Sequence, residues 1–180
     1  MQYFKANCDL AVHLELYPLV TGMDQHIEEI FGKRIRIRVC GLCLQGDSLL
    51  LINHNLYPGQ DFWAPPGGGI AYGQSATEAL IREFMEETNL EIRVKDFRCV
   101  AEFVNPPLHA LELFFEVEQT GGSPTVGHDP ELPADKQLIR DVRFMPWSEI
   151  MALPDKEKHG LLRLCKSPNE LKLLTGFYRI

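Results

Sequence analysis

No stretch of this 180-residue chain approaches the ~18 uncharged apolar residues that would read as a membrane-spanning helix. The opening segment, MQYFKANCDLAVHLELYPLV, carries Asp9, His13 and Glu15 where a secretory leader would need an unbroken apolar run. Basic charge is also scarce. Lys and Arg number 18 against 25 Asp and Glu, a formal net charge of −7, which is a poor grip for the phosphates of duplex nucleic acid. A chain so acidic that handles phosphates should need a divalent cation to offset its own charge. The five cysteines (Cys8, Cys40, Cys43, Cys99 and Cys165) are odd in number and scattered, which argues against a disulfide framework. Cys40 and Cys43 form a lone CxxC, with no second pair and no histidines at zinc spacing. On a strand an offset of three sends the two thiols to opposite faces, so both are expected in the core. These absences lead to the expectation of a cytoplasmic protein with neither membrane nor duplex nucleic acid as partner.

What is present is ordinary globular material, 45% apolar and 24% charged, enough for one domain with its own core. Val12, Leu14 and Leu16 alternate like a strand and Asp24 is placed to cap a short helix, so residues 1–33 read as an extension that could serve as a dimer arm. In 35–44, Ile35, Ile37 and Val39 alternate with basic residues, and a second apolar run over 48–53 follows a Gln45-Gly46-Asp47 hairpin signal. Tyr57-Pro58-Gly59-Gln60 reads as a loop, followed by Phe62-Trp63-Ala64-Pro65-Pro66-Gly67-Gly68-Gly69. The spacing predicts a helix over 75–88, strands over 91–104 and 110–118 broken at Asn105-Pro106-Pro107, and a long polar loop over 119–137. A short strand from Val142 to Trp147, a helix from Ser148 and helical leucine spacing in 153–180 complete the chain. No repeat is visible. Strands and helices mix without strict alternation, which predicts a mixed α/β sandwich.

The most informative segment is GGIAYGQSATEALIREFMEETNL, Gly68 to Leu90. Ser75 followed by Glu78 is a capping box, placing the helix start at Ser75. At 100° per residue, with Glu83 at zero, Glu86 falls near 300° and Glu87 near 40°, so three carboxylates share one face. Ala76 and Ala79 lie on that face and leave room above it. Thr77, Ile81, Phe84 and Thr88 gather between about 100° and 160° and are expected to pack on the sheet. Carboxylates at i, i+3 and i+4 repel, and Arg82 can relieve them only in part by pairing with Glu78 or Glu86. A solvated charged face competes here with an all-oxygen site for Mg²⁺ or Mn²⁺. The glycines just before the helix favour the site, because they let main chain approach a ligand with no side chain in the way.

This segment resembles the Nudix box, G-x5-E-x7-R-E-U-x-E-E-x-G-U, with Gly68, Arg82, Glu83, Phe84, Glu86, Glu87 and Leu90 in register. The likeness extends through the Trp63–Gly68 lead-in and a closing Phe144-Met145-Pro146-Trp147 strand, over roughly residues 34–152, with 153–180 a helical continuation of the same domain. Gln74 stands where the box has its first Glu, and Asn89 where it has its last Gly. Asn tolerates the left-handed conformation expected there. The amide oxygen of Gln74 could still accept a hydrogen bond from Arg82.

The resemblance implies a Nudix-type α/β/α sandwich with a mixed sheet, and Mg²⁺-dependent hydrolysis of a nucleoside diphosphate linked to another moiety. The substrate would be a nucleoside-diphosphate sugar, ADP-ribose or a modified nucleoside triphosphate. It assigns metal binding to Glu83, Glu86, Glu87 and the Gly68 carbonyl, with Mn²⁺ as an alternative ion, and catalysis to the same glutamates supported by Arg82. Glu131 in the 119–137 loop is a candidate base, set against an ordinary loop carboxylate. Glu112 and Glu116, four apart on one strand, share a face and are candidates for a further ligand. Arg36, Arg38 and Lys95 are candidates for phosphate contact, weighed against surface solvation. Gly67, Gly68 and Gly69 would line the substrate, and Phe103, with Phe62, Trp63 and Tyr72, offers stacking, Trp63 fitting better as packing beneath the glycine loop. Pro106, sixteen beyond Leu90, lies near the proline that marks the ADP-ribose branch. Family members often form dimers, so a homodimer is expected by analogy. The competing class is a Nudix-fold sensor that binds a nucleotide without cleaving it, with a non-hydrolytic isomerase as a third.

Overall fold

The computed structural model describes residues 28–29, 31–57, 60–128 and 137–180, with backbone alone at 56, 57 and 60. The strand expected around residues 12–16, the extension up to residue 27 and Glu131 lie outside the described residues, whereas Glu28, Glu29 and Phe31, at the end of the helix expected from Asp24, are helical. Two apolar runs, the first alternating and the second continuous, become strands β1 (Ile35–Gln45) and β2 (Ser48–Tyr57), joined at Gly46 in the left-handed region, φ 61°. Strands β3 (Gln60–Ala64) and β4 (Gly67–Gly69) follow, then helix α1 (Ala76–Thr88). The long hairpin β5 (Leu90–Asn105) and β6 (Leu108–Gly122) turns at Pro106-Pro107. Strand β7 (Ile139–Pro146), helices α2 (Trp147–Ala152), α3 (Gly160–Arg163) and α4 (Pro168–Leu173), and strand β8 (Gly176–Arg179) complete the fold. Strand β6 thus runs several residues into the segment expected to be loop.

The strands run β3-β2-β1-β6-β5-β8, with β4 added to β1 and β7 to β2. β1 lies parallel to β6, and β8 parallel to β5; the other pairs are antiparallel, so the sheet is mixed as expected. Alternation along the strands feeds two cores. Cys40, Leu42, Leu49 and Leu51 face Trp147, Ile150, Leu161, Leu162 and Leu171 of the C-terminal helices. Val39, Cys43, Leu50 and Ile52 face Leu80 and Phe84 of α1. Cys40 and Cys43 therefore enter opposite cores, as their odd offset requires. Of the residues that alternate with basic ones along β1, Val39 is buried, but Ile35 and Ile37 are 62% and 53% exposed where that end of the strand borders an open groove. No described helix is long and apolar enough to cross a membrane.

Helix α1 starts where its capping box dictates. Ser75 Oγ accepts the Glu78 N–H at 3.3 Å, and a Glu78 carboxylate oxygen accepts the Ser75 N–H at 2.9 Å. At its end Asn89 adopts φ 56°, ψ 27°, donating its backbone N–H to Met85 O and its side-chain amide to Thr125 Oγ1 at 2.7 Å. The packed face differs from expectation. Ala79, Leu80, Glu83, Phe84, Glu87 and Thr88 are buried, whereas Thr77 and Ile81 are exposed. Ala79 is itself a core residue and leaves no room above it. The helix is rolled so that Glu83 and Glu87 turn toward β4 and belong to the packed surface, because Gly67 there brings an amide to Glu87 and Gly68 leaves space for Glu83.

Candidate active site

Gly67 and Gly68 set the geometry. β4 is held antiparallel to β1, with Gly67 opposite Cys40 and Gly68 opposite Val39. A Cβ on Gly67, whose φ is 152°, would lie 2.0 Å from the Val39 carbonyl oxygen. A Cβ on Gly68 would lie 2.2 Å from a Glu83 carboxylate oxygen. The absent side chains let the strand edge lie directly against the acidic face of α1.

Each glutamate of that face has a defined neighbour. Glu87 Oε2 accepts the buried Gly67 N–H at 2.9 Å. Arg82 donates to Glu86 Oε2 at 2.7 Å, to Glu83 Oε1 at 2.8 Å and to the Gly69 carbonyl at 3.2 Å. Arg82 thus bridges two carboxylates and ties them to the loop. Burial is the main influence on Glu83 and raises its pKa; Arg82 offsets this only in part. Gln74 does not reach Arg82 as its position allowed; its side-chain oxygen accepts the Ala71 N–H at 3.4 Å within its own loop. Among the described residues no three His, Cys, Asp or Glu side chains are gathered ready to hold an ion. The donors along this edge, three carboxylates and the Gly68 main chain, are all oxygen, which suits a hard cation such as Mg²⁺ or Mn²⁺.

The loop is also braced from behind. Arg38 donates from NH2 to the Gly67 carbonyl at 2.9 Å, and its Nε lies 3.4 Å from Glu112 Oε1. The other oxygen of Glu112 is 2.8 Å from His159 Nε2. Burial pushes Glu112 upward, but His159 and Arg38 outweigh it and hold the carboxylate below its usual range. Arg38, placed among substrate contacts by its strand position, is therefore engaged with protein groups, as is Glu112, weighed as a further ligand. Glu116 pairs with Arg98, and Lys95 with Glu118 at 2.8 Å.

The remaining expected contacts are spread out. Arg36 lies over the Phe31 ring at 4.0 Å and lines a groove of about 410 Å³ with Arg34, Ile37, Gly69, Ala71 and Arg82. Tyr72 is fully exposed, and Phe103 is partly buried on β5 opposite Ala110. Trp63 is a core residue, with the Arg143 guanidinium 4.9 Å from its ring. His159 was not legible as part of this region. The only local cue is its place before Gly160 and an apolar run, where it caps α3 through Nδ1; nothing in the sequence links it to Glu112, 47 residues away.

Comparison with known proteins agrees with this arrangement. The NUDIX domain model matches residues 33–164. An NAD-capped RNA hydrolase NudC from Pectobacterium carotovorum is 27% identical over 72% of this chain and 45% of that protein. An ADP-ribose pyrophosphatase from Methanocaldococcus jannaschii is 30% identical over 62% of this chain and 73% of that protein. A NUDIX hydrolase structure from Nitrosomonas europaea superposes with a TM-score of 0.62 at 19% identity, covering 73% of this chain and 86% of that one. The chain belongs to the Nudix (MutT-like) family and has its α/β fold. It spans under half the length of the NudC relative.

Proposed function

We propose that this protein is a Nudix hydrolase that cleaves the pyrophosphate of a nucleoside diphosphate carrying a second moiety, with ADP-ribose-like compounds the first to test. The observation that carries the reading is the crowding of carboxylates on the glycine edge. Glu83 and Glu87 are buried beside Glu86, with Glu87 on the Gly67 amide, Glu83 against Gly68, and Arg82 shared between Glu83 and Glu86. Oxygen donors so placed suit one divalent cation. Glu83, Glu86, Glu87 and the Gly68 carbonyl would hold Mg²⁺ or Mn²⁺, and such an ion, once bound, supplies charge neutralisation and a more acidic water. Arg82 would have to release one or both of its carboxylates for them to converge. The arginine-lined groove beside Gly69 offers Arg34 and Arg36 to an anionic diphosphate. The names of the relatives, an ADP-ribose pyrophosphatase and an NAD-capped RNA hydrolase, favour a dinucleotide-like diphosphate over a triphosphate.

The test is release of nucleoside monophosphate from a panel of ADP-ribose, nucleoside-diphosphate sugars, NAD and modified triphosphates with Mg²⁺, comparing the parent with Glu87→Gln. Turnover of a diphosphate by the parent, lost by at least about a hundredfold in Glu87→Gln, is the expected result. Tight binding across the panel with no product would overturn it in favour of a nucleotide sensor.

A further inference from the structure

We propose that Arg38, Glu112 and His159 are positioning residues that fix Gly67 and, through its N–H, the carboxylate of Glu87. Their part in turnover rests on the hydrolase reading above. His159 accepts the Leu161 N–H on Nδ1 at 3.2 Å, which places the imidazole proton on Nε2, the atom 2.8 Å from Glu112 Oε2. Glu112 is thereby turned so that Oε1 faces Arg38, which in turn donates to the Gly67 carbonyl. The same glycine donates its N–H to Glu87. Both polar atoms of one residue are thus held by ionic partners of opposite sign, the cation on its carbonyl and the anion on its amide. His159 is itself anchored to this region, since its backbone N–H donates to the Trp63 carbonyl at 2.9 Å.

Fold stability alone is a weak reason for such a row. Glu112 and His159 are 7% and 8% exposed, and apolar side chains of similar volume commonly serve a core as well or better than buried charges. What the charges add is direction. Gly67 lies next to Gly68, whose main chain sits against Glu83, so a shift of this peptide moves the edge against which Glu87 and Glu83 are held.

Substitutions at His159 separate this role from helix capping. In His159→Asn the shorter side chain can still accept the Leu161 N–H but cannot reach Glu112; in His159→Gln the amide can reach Glu112 while the cap is lost. The primary readout is the Gly67 amide in ¹H–¹⁵N spectra of the whole chain, together with Mn²⁺ affinity in the absence of nucleotide. In His159→Asn the Gly67 resonance should move, its exchange should quicken, and Mn²⁺ affinity and kcat should each fall about tenfold, with KM little changed. His159→Gln should recover most of that loss, and Glu112→Gln should shift the Gly67 amide in the same sense as His159→Asn. An unchanged Gly67 amide and Mn²⁺ affinity in both His159→Asn and Glu112→Gln would overturn the proposal, whatever the activities. The expected amide and Mn²⁺ changes in a protein whose parent cleaves nothing in the panel would overturn the hydrolase reading and leave the positioning role standing.

Discussion

Replacing Gly68 with Ala tests whether glycine is needed there for chemistry or for folding. The added Cβ would meet Glu83 Oε1 at 2.2 Å, where ordinary contact begins at 3.4 Å. Something must therefore yield by about 1.2 Å. The obstructing atoms are the far end of a flexible side chain, so the carboxylate should move rather than the strand. A displacement of that size at a reacting centre costs on the order of a hundredfold in rate. Its cost in stability should be only about 1–2 kcal/mol, at the low end for overpacking. Gly67→Ala is the contrasting case. Its Cβ would strike the Val39 carbonyl oxygen at 2.0 Å, with Cys40 Cα at 2.8 Å, at a φ of 152°. Main chain cannot step aside cheaply, so that variant should lose roughly 3 kcal/mol or more of stability. Urea unfolding and steady-state kinetics on the best substrate of the panel separate the two. If Gly68→Ala keeps kcat within threefold of the parent, or loses as much stability as Gly67→Ala, the assignment of Glu83 to the reacting centre is wrong.

Phe84 is fully buried in the α1 core and lies where a Cβ on Gly41 would come within 2.3 Å of its ring; Phe84→Ala should cost about 3–5 kcal/mol in urea unfolding. Burial, aided by Arg38 and His159, pulls the His54 imidazole down to about 4. Because protons then favour the unfolded chain, the contribution of His54 is intact above about pH 6.5 and falls away between there and about pH 4, by at most roughly 3 kcal/mol. His54→Gln should flatten that part of the parent's stability–pH curve, and superimposable curves would refute the assignment. Arg82→Gln removes the cation that competes for Glu83 and Glu86, so Mn²⁺ affinity measured without nucleotide should rise severalfold while kcat drops at least tenfold; weaker Mn²⁺ binding would show that Arg82 matters more as a brace than as a competing charge.

The sequence makes the local elements of this fold legible and its long-range pairings much less so. The Ser75–Glu78 cap, the left-handed Asn89 and the opposite facings of Cys40 and Cys43 each depend on a few neighbouring residues, and each is found in the structure. The roll of α1 departs from the helical-wheel expectation, which places Thr77 and Ile81 on the sheet and leaves open space above the glutamate face. The actual choice depends on β4, where Gly67 supplies an amide for Glu87 and Gly68 leaves space for Glu83. Arg38 illustrates the same limit. Alternation along β1 correctly puts it on one face of the strand, but only the tertiary fold brings Gly67 and Glu112 to it.

The folded chain and the proposed ion-binding edge share one electrostatic problem. Burying Glu83 and Glu87 beside Glu86 costs free energy that an apolar helix face would avoid. Arg82 and the Gly67 amide compensate for part of that cost through the contacts they make. A divalent cation bound to the folded state alone would compensate for more, adding RT ln(1 + [L]/Kd) to stability. On the proposed hydrolase reading, leaving that cost partly uncompensated keeps the face attractive to a cation. Full neutralisation by further arginines would make a more stable helix packing but would remove the attraction for the cation that the proposed cleavage requires.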